Sequence, residues 1–101
     1  MIENPSIPLN SCIVQCPGNI VSDMDGEKVM LNIHNGNYYN LGKTGGRIWE
    51  LIESPISITM LVQALITEYD IDQAGCEEHV ISFIKHLLDE KLIEFGEVLH
   101  A

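Results

Sequence analysis

The chain has 101 residues, five basic against fifteen acidic, and a formal net charge of −10. That length allows one domain, and a hydrophobic share of 46% supports one modest core. The negative charge repels phosphate backbones and so argues against nucleic acid as a partner.

Residues 1–10 hold Pro5 and Pro8 and little periodicity, and read as a flexible N-terminal tail or a loosely docked arm ahead of a single domain over 11–101. No secretory segment or membrane-spanning apolar run is visible, so the expected location is cytoplasmic, with reduced thiols and no membrane partner. Cys12-Ile13-Val14 is a short strand candidate closed by Pro17-Gly18. Cys12 and Cys16 would lie about 13 Å apart on an extended chain at about 3.3 Å per residue, too far for one ion. Cys76 is remote in sequence, and the four histidines show no metal-ligand spacing, so no metal and no cofactor are expected.

Residues 20–24, 28–34 and 37–41 read as a three-stranded antiparallel meander, with Asp25-Gly26 and Asn35-Gly36 as turns. Register decides which side chains share a face, because a one-residue slip flips every one of them. A three-residue loop at 34–36 pairs Ile33 with Asn37. It gathers Val29, Leu31, Ile33, Tyr39 and Leu41 on the core face and turns Tyr38 and Asn40 outward. A last strand with nothing beside it offers unpaired N–H and C=O groups, a means of binding an extended peptide.

A glycine-rich joint then leads into a helix from Lys43 or Thr44 to about Glu53, with Thr44 as its cap and Trp49 as a core anchor. Ser57 caps a second helix reaching Tyr69, with Leu61, Val62, Leu65, Ile66 and Tyr69 inward. Asp72 caps a third, reaching about Lys91. On that helix Val80, Phe83, Ile84 and Leu87 cluster beside Cys76, while Ile81 and Leu88 widen the apolar stripe and Lys85 stands at its rim. The flank either packs on the sheet or lines a groove open to a partner. Residues 92–95 read as a short strand or a docked segment. The segregated order, a three-stranded antiparallel sheet followed by three helices, is an α+β arrangement like a winged helix.

No nucleophile setting or phosphate loop is present, so the chain does not read as an enzyme. As a winged-helix DNA reader it would place Glu77, Glu78, Asp89 and Glu90 against the duplex, with only Lys85 and Lys91 to oppose them.

The run Gly36-Asn37-Tyr38-Tyr39-Asn40-Leu41-Gly42-Lys43-Thr44-Gly45-Gly46-Arg47-Ile48-Trp49-Glu50-Leu51 resembles the PqqD-like domains, the recognition elements for precursors of ribosomally made, modified peptides. Val80, Phe83, Ile84 and Leu87, followed by Leu92-Ile93, match the third-helix pattern of that family. The resemblance spans about residues 14–95. It implies a non-catalytic domain that binds the leader segment of a precursor as an added strand and packs it against the third helix. The residues it singles out are Tyr38, Tyr39, Asn40 and Leu41 on the strand, with Ile81, Ile84, Lys85 and Leu88 on the helix. The stand-alone form resembles the recognition proteins of lasso peptide clusters, where a separate cysteine-type peptidase removes the leader. The implied partners are then a leader peptide and that peptidase, with the chain itself a monomer or an edge-paired or domain-swapped dimer. The other class kept open is an acidic winged-helix interaction subunit or regulator that acts on no leader. Two departures from the family pattern stand out: Leu41-Gly42 where many members have Leu-Asn, and Lys91 where many have glycine.

Overall fold

The computed structural model describes residues 7–96. Its elements are β1 (Cys12–Gln15), β2 (Asn19–Met24), β3 (Glu27–Asn32), β4 (Tyr38–Leu41), α1 (Gly42–Leu51), β5 (Ile56–Ser57), α2 (Ile58–Tyr69), α3 (Gln73–Asp89) and β6 (Ile93–Gly96). They form an α+β fold. The meander is present as a sheet in the order β2-β3-β4, and a second antiparallel sheet, in the order β5-β1-β6, joins the chain's two ends. Two strands of the second sheet come from segments expected as short strands, around residues 12–14 and 92–95, and pair from Cys12↔Gly96 to Gln15↔Ile93; the third, β5, pairs with β1 at Cys12↔Ser57 and was not expected.

Residues 1–6 of this segment lie outside the described residues, and residues 7–10 rest on the domain as an arm. Ile7 packs on the core. The Leu9 carbonyl accepts hydrogen bonds from the Thr59 N–H and hydroxyl, both at 3.0 Å, so the arm rests on the start of α2.

The β3–β4 register differs by one residue from the one predicted. Val29 faces Asn40, Met30 faces Tyr39 and Leu31 faces Tyr38, leaving residues 33–36 as a four-residue loop. Asn32 causes the shift. Its side-chain oxygen accepts from the N–H groups of His34 and Asn35 at 2.9 Å each, and its carbonyl accepts from Gly36 at 2.8 Å. Its amide donates to the Asn19 side chain at 2.8 Å, so this buried polar residue is fully engaged. A side chain that organises the loop so completely sets the register. Tyr39 and Leu41 still point inward and Tyr38 and Asn40 outward. The β3 face is reversed: Met30 and Asn32 are buried, Val29 and Leu31 are half-buried on the other side, and Ile33 is exposed.

Helix α1 starts at Gly42, without Thr44 as a cap; the Asn40 side chain accepts from the Gly42 N–H at 2.9 Å. Gly45 and Gly46 let α1 close on its neighbours. A Cβ at Gly45 would stand 2.9 Å from the Phe83 ring, and one at Gly46 2.8 Å from the Lys28 stem. Across that contact the Lys28 ammonium reaches Glu50 at 3.1 Å and Asp23 at 2.8 Å. Arg47 joins Glu50 to Glu68 on α2. Hydrogen bonds from Lys28 and then Arg47 hold the Glu50 carboxyl below its ordinary range, and a hydrogen bond from Arg47 does the same for Glu68. Ser57 and Asp72 cap α2 and α3 as expected. Leu61, Val62 and Leu65 are buried with Ile48, Trp49, Val80, Ile84 and Leu87, but Tyr69 is exposed rather than inward.

Helix α3 ends two residues earlier than predicted, in a Schellman turn. The Lys91 N–H donates to the Leu88 carbonyl at 3.0 Å and the Leu92 N–H to the Leu87 carbonyl at 2.9 Å. Lys91 sits in the left-handed region at φ 62, the place where the family pattern favours glycine. Lys91→Gly is therefore expected to stabilise the fold by about 0.5–1 kcal/mol, because the relief of strain exceeds the added freedom of the unfolded chain. A urea melt that shows a lower midpoint for the variant would contradict it.

Candidate functional site

Among the described residues, strand β4 pairs with β3 on one side and ends its sheet on the other. The phase of its ladder follows from one bond: the Asn32 N–H donates to the Asn37 carbonyl at 3.0 Å. Antiparallel ladders alternate bonded and non-bonded pairs, so Met30 and Tyr39 form the next bonded pair. The backbone N–H and C=O groups of Tyr38 and Asn40 therefore point away from β3, toward the open edge. Both side chains are exposed, Tyr38 at 73%. The edge thus presents two residues' worth of main-chain donors and acceptors in strand geometry.

Helix α3 runs beneath this edge. The Tyr39 hydroxyl donates to the Glu90 carboxylate at 2.9 Å and accepts from the Asn35 side-chain amide at 3.1 Å. The Phe83 ring lies against Gly45 beside Leu41. Phe83 and Glu90 are thus the α3 side chains turned toward β4 and α1. His79 and His86, the next positions around the helix, are exposed.

The helix residues singled out from sequence fall elsewhere. At 3.6 residues per turn, Ile81 and Leu88 lie about 160° around α3 from Phe83 and Glu90. Both are half-buried and pack on the core. Ile84 is fully buried and Lys85 half-buried. The structure therefore gathers Tyr38, Tyr39, Asn40 and Leu41 at one edge, and does not place Ile81, Ile84, Lys85 or Leu88 beside it. Phe83 and Glu90, which reach Gly45 and Tyr39, were not among the site residues singled out from sequence. The Gly45-Gly46 pair in the sequence signals a close approach to α1, but not that Phe83 is the side chain that meets Gly45.

Beyond Leu41, where α1 meets the start of α3, a cleft of about 260 Å³ opens between Thr44, Leu65, Ile71, Gly75, Cys76 and His79. Its wall is largely apolar. The Cys76 thiol is buried there, directed at the Val62 carbonyl, and burial raises its pKa above the ordinary thiol value. Burial likewise raises that of Cys16. Among the described residues no three His, Cys, Asp or Glu side chains cluster as a metal site, and no helix is long and apolar enough to cross a membrane.

The sequence matches the family described as coenzyme PQQ synthesis protein D, PqqD, over residues 27–93, the stretch from β3 to the start of β6. The chain belongs to the PqqD family. Two solved structures share the fold. One, of TbiB1 in complex with the TbiA(beta) leader peptide, is 28% identical, with a TM-score of 0.73 over 85% of this chain and 99% of that one. The other, of lasso peptide synthetase B1 complexed with the leader peptide, is 21% identical, with a TM-score of 0.71 over 81% of this chain and 96% of that one. At that lower identity the likeness bears on the fold alone. No curated protein matches the chain.

Proposed function

We propose that this PqqD-family chain binds the leader segment of a ribosomally made precursor peptide by strand addition at β4 and presents it to a processing enzyme. The observation that carries the proposal is the open β4 edge, with the backbone groups of Tyr38 and Asn40 directed outward above α3. Main-chain bonds along such an edge supply affinity without regard to sequence, and pockets for alternate side chains supply specificity. The Phe83–His86–Glu90 side of α3 forms the floor for the side chains that turn inward. The apolar cleft past Leu41 can hold one more. The likeness to the TbiB1 structure with its leader peptide, at 28% identity, supports this choice of ligand over other extended peptides.

In this proposal the finer role is that of a non-catalytic, cytoplasmic recognition protein of a lasso peptide pathway, and its partner is a cysteine-type leader peptidase. It works as a monomer, because an edge-paired dimer would occupy the leader's place. Held on β4, the leader raises the effective concentration of its cleavage site at the peptidase. The test is a time course of precursor cleavage with the peptidase, with this protein, and with both. Acceleration by the pair, abolished by excess free leader or by a leaderless substrate, is expected. Cleavage by this protein alone would contradict the non-catalytic role. Unchanged cleavage by the peptidase would remove it as the partner.

A further inference from the structure

A strand added at β4 exchanges main-chain bonds with Tyr38 and Asn40, so Tyr39, between them, stands opposite it in a non-bonded pair. That is the closer of the two kinds of pair, with Cα atoms about 4.5 Å apart and side chains in contact. The leader residue opposite Tyr39 therefore runs inward alongside the Tyr39 ring. The ring ends at a carboxylate, since its hydroxyl donates to Glu90 Oε1 at 2.9 Å. The other groups at that hydroxyl are neutral, the Asn35 amide at 3.1 Å and the Asn37 amide at 3.5 Å. Glu90 is half-buried. Among the described residues it is in no ion pair, and its Oε2 accepts no hydrogen bond. It is also the C-cap of α3, where the helix dipole adds negative potential.

We propose that Glu90 selects a leader bearing lysine or arginine opposite Tyr39, and thereby fixes the register of that leader on β4. The proposal rests on the β4 edge being the leader site. A lysine or arginine side chain is about as long as that of tyrosine. Laid along the Tyr39 ring, its stem covers apolar surface and its charge reaches Glu90 Oε2. The added strand excludes water from the pair, which strengthens it beyond an exposed ion pair. A leader carboxylate in the same place would meet Glu90, the end of α3 and a chain of net charge −10. An apolar residue there would strip water from Glu90 and return no hydrogen bond. Main-chain bonds alone let a leader slip by two residues with the same face inward, and one charge pair at one position removes that freedom.

The experiment titrates the full chain with a fluorescent synthetic leader, that of the precursor encoded beside it. Each lysine or arginine of the leader is replaced in turn by glutamine, and every peptide is measured against the parent, Glu90→Gln and Glu90→Lys. Glutamine keeps an acceptor for the Tyr39 hydroxyl, so thermal melts of Glu90→Gln should overlay those of the parent. Parent affinity should fall about tenfold for one basic position of the leader and little for the others. In Glu90→Gln the unsubstituted leader should bind about tenfold more weakly, and the sensitive position should lose its effect. Glu90→Lys should prefer a leader with glutamate at that position over the unsubstituted one, a reversal that a purely structural role for Glu90 does not produce. A leader that binds with no basic residue, or whose basic residues count equally in the parent and in Glu90→Gln, would overturn the selection; the leader site stands if Tyr38→Pro still weakens binding. Full affinity in Tyr38→Pro, or no binding to the parent, would overturn the leader site and this proposal with it.

Discussion

Replacing Tyr38 with proline is expected to weaken leader binding by at least about tenfold while leaving the folding transition near that of the parent. The same change one residue later, Tyr39→Pro, is expected to cost several kcal/mol, by order of magnitude, and to abolish a cooperative transition at moderate temperature. The difference lies in where each N–H points. The Tyr38 N–H faces the open edge, so proline there removes a donor meant for an incoming strand and leaves the β3–β4 ladder whole. One lost main-chain bond, plus the ring obstructing the edge, accounts for about 1.4 kcal/mol or more, which is tenfold in affinity. The Tyr39 N–H is committed to Met30, and its side chain ties the β3–β4 loop to Glu90 at the end of α3. Anisotropy titration and thermal melts on both variants give the answer. Equal leader affinity in Tyr38→Pro and the parent would show that the peptide does not add at this edge.

The second large effect concerns the two sides of α3. Ile84 is fully buried beside Val80 and Leu87, and Ile84→Ala should lower stability by about 2–5 kcal/mol, as truncations leaving a core cavity do. Ile81 is half-buried on the core on the side away from β4, so Ile81→Ala should cost stability, about 1 kcal/mol, yet leave leader affinity as it was. Phe83→Ser, on the side toward β4, should lower both. Denaturant melts and leader titrations on the three variants separate the outcomes. A selective loss of leader binding in Ile81→Ala would restore the flank of Ile81, Lys85 and Leu88 as the peptide contact.

That flank shows where a sequence stops being legible. Helix periodicity located α3 and its cap at Asp72, and it identified Val80, Ile84 and Leu87 as core, because those features depend only on neighbouring residues. It could not say which side of the stripe meets β4. That depends on how closely α1 approaches α3, set by Gly45 against Phe83. The register of β3 was misread for a related reason. Counting apolar residues favoured Val29, Leu31 and Ile33 as the inner face, but Asn32 is buried with its polar atoms engaged, and Lys28 lays its stem against Gly46 while its ammonium reaches Glu50 and Asp23. A polar side chain satisfied inside the fold is invisible to hydropathy. Tyr39 and Leu41 were placed inward all the same, because the shift moved β3 beneath them and not β4 itself. The second sheet was only half legible, since β1, β5 and β6 are short and come from three segments far apart in sequence.

The central claim is that the leader pairs with β4, and amide hydrogen exchange with and without a synthetic leader tests it most directly. The free edges of this sheet expose different amides: Tyr38 and Asn40 on β4, Val21 and Asp23 on β2, by the same alternation that pairs Ile33 N–H with the Gly18 carbonyl. Tyr39 should be protected before the leader is added, through its bond to Met30. Leader binding should then slow Tyr38 and Asn40 and leave Val21 and Asp23 unchanged. Protection appearing at Val21 and Asp23 instead, or at none of the four while the leader is bound, would contradict strand addition at β4.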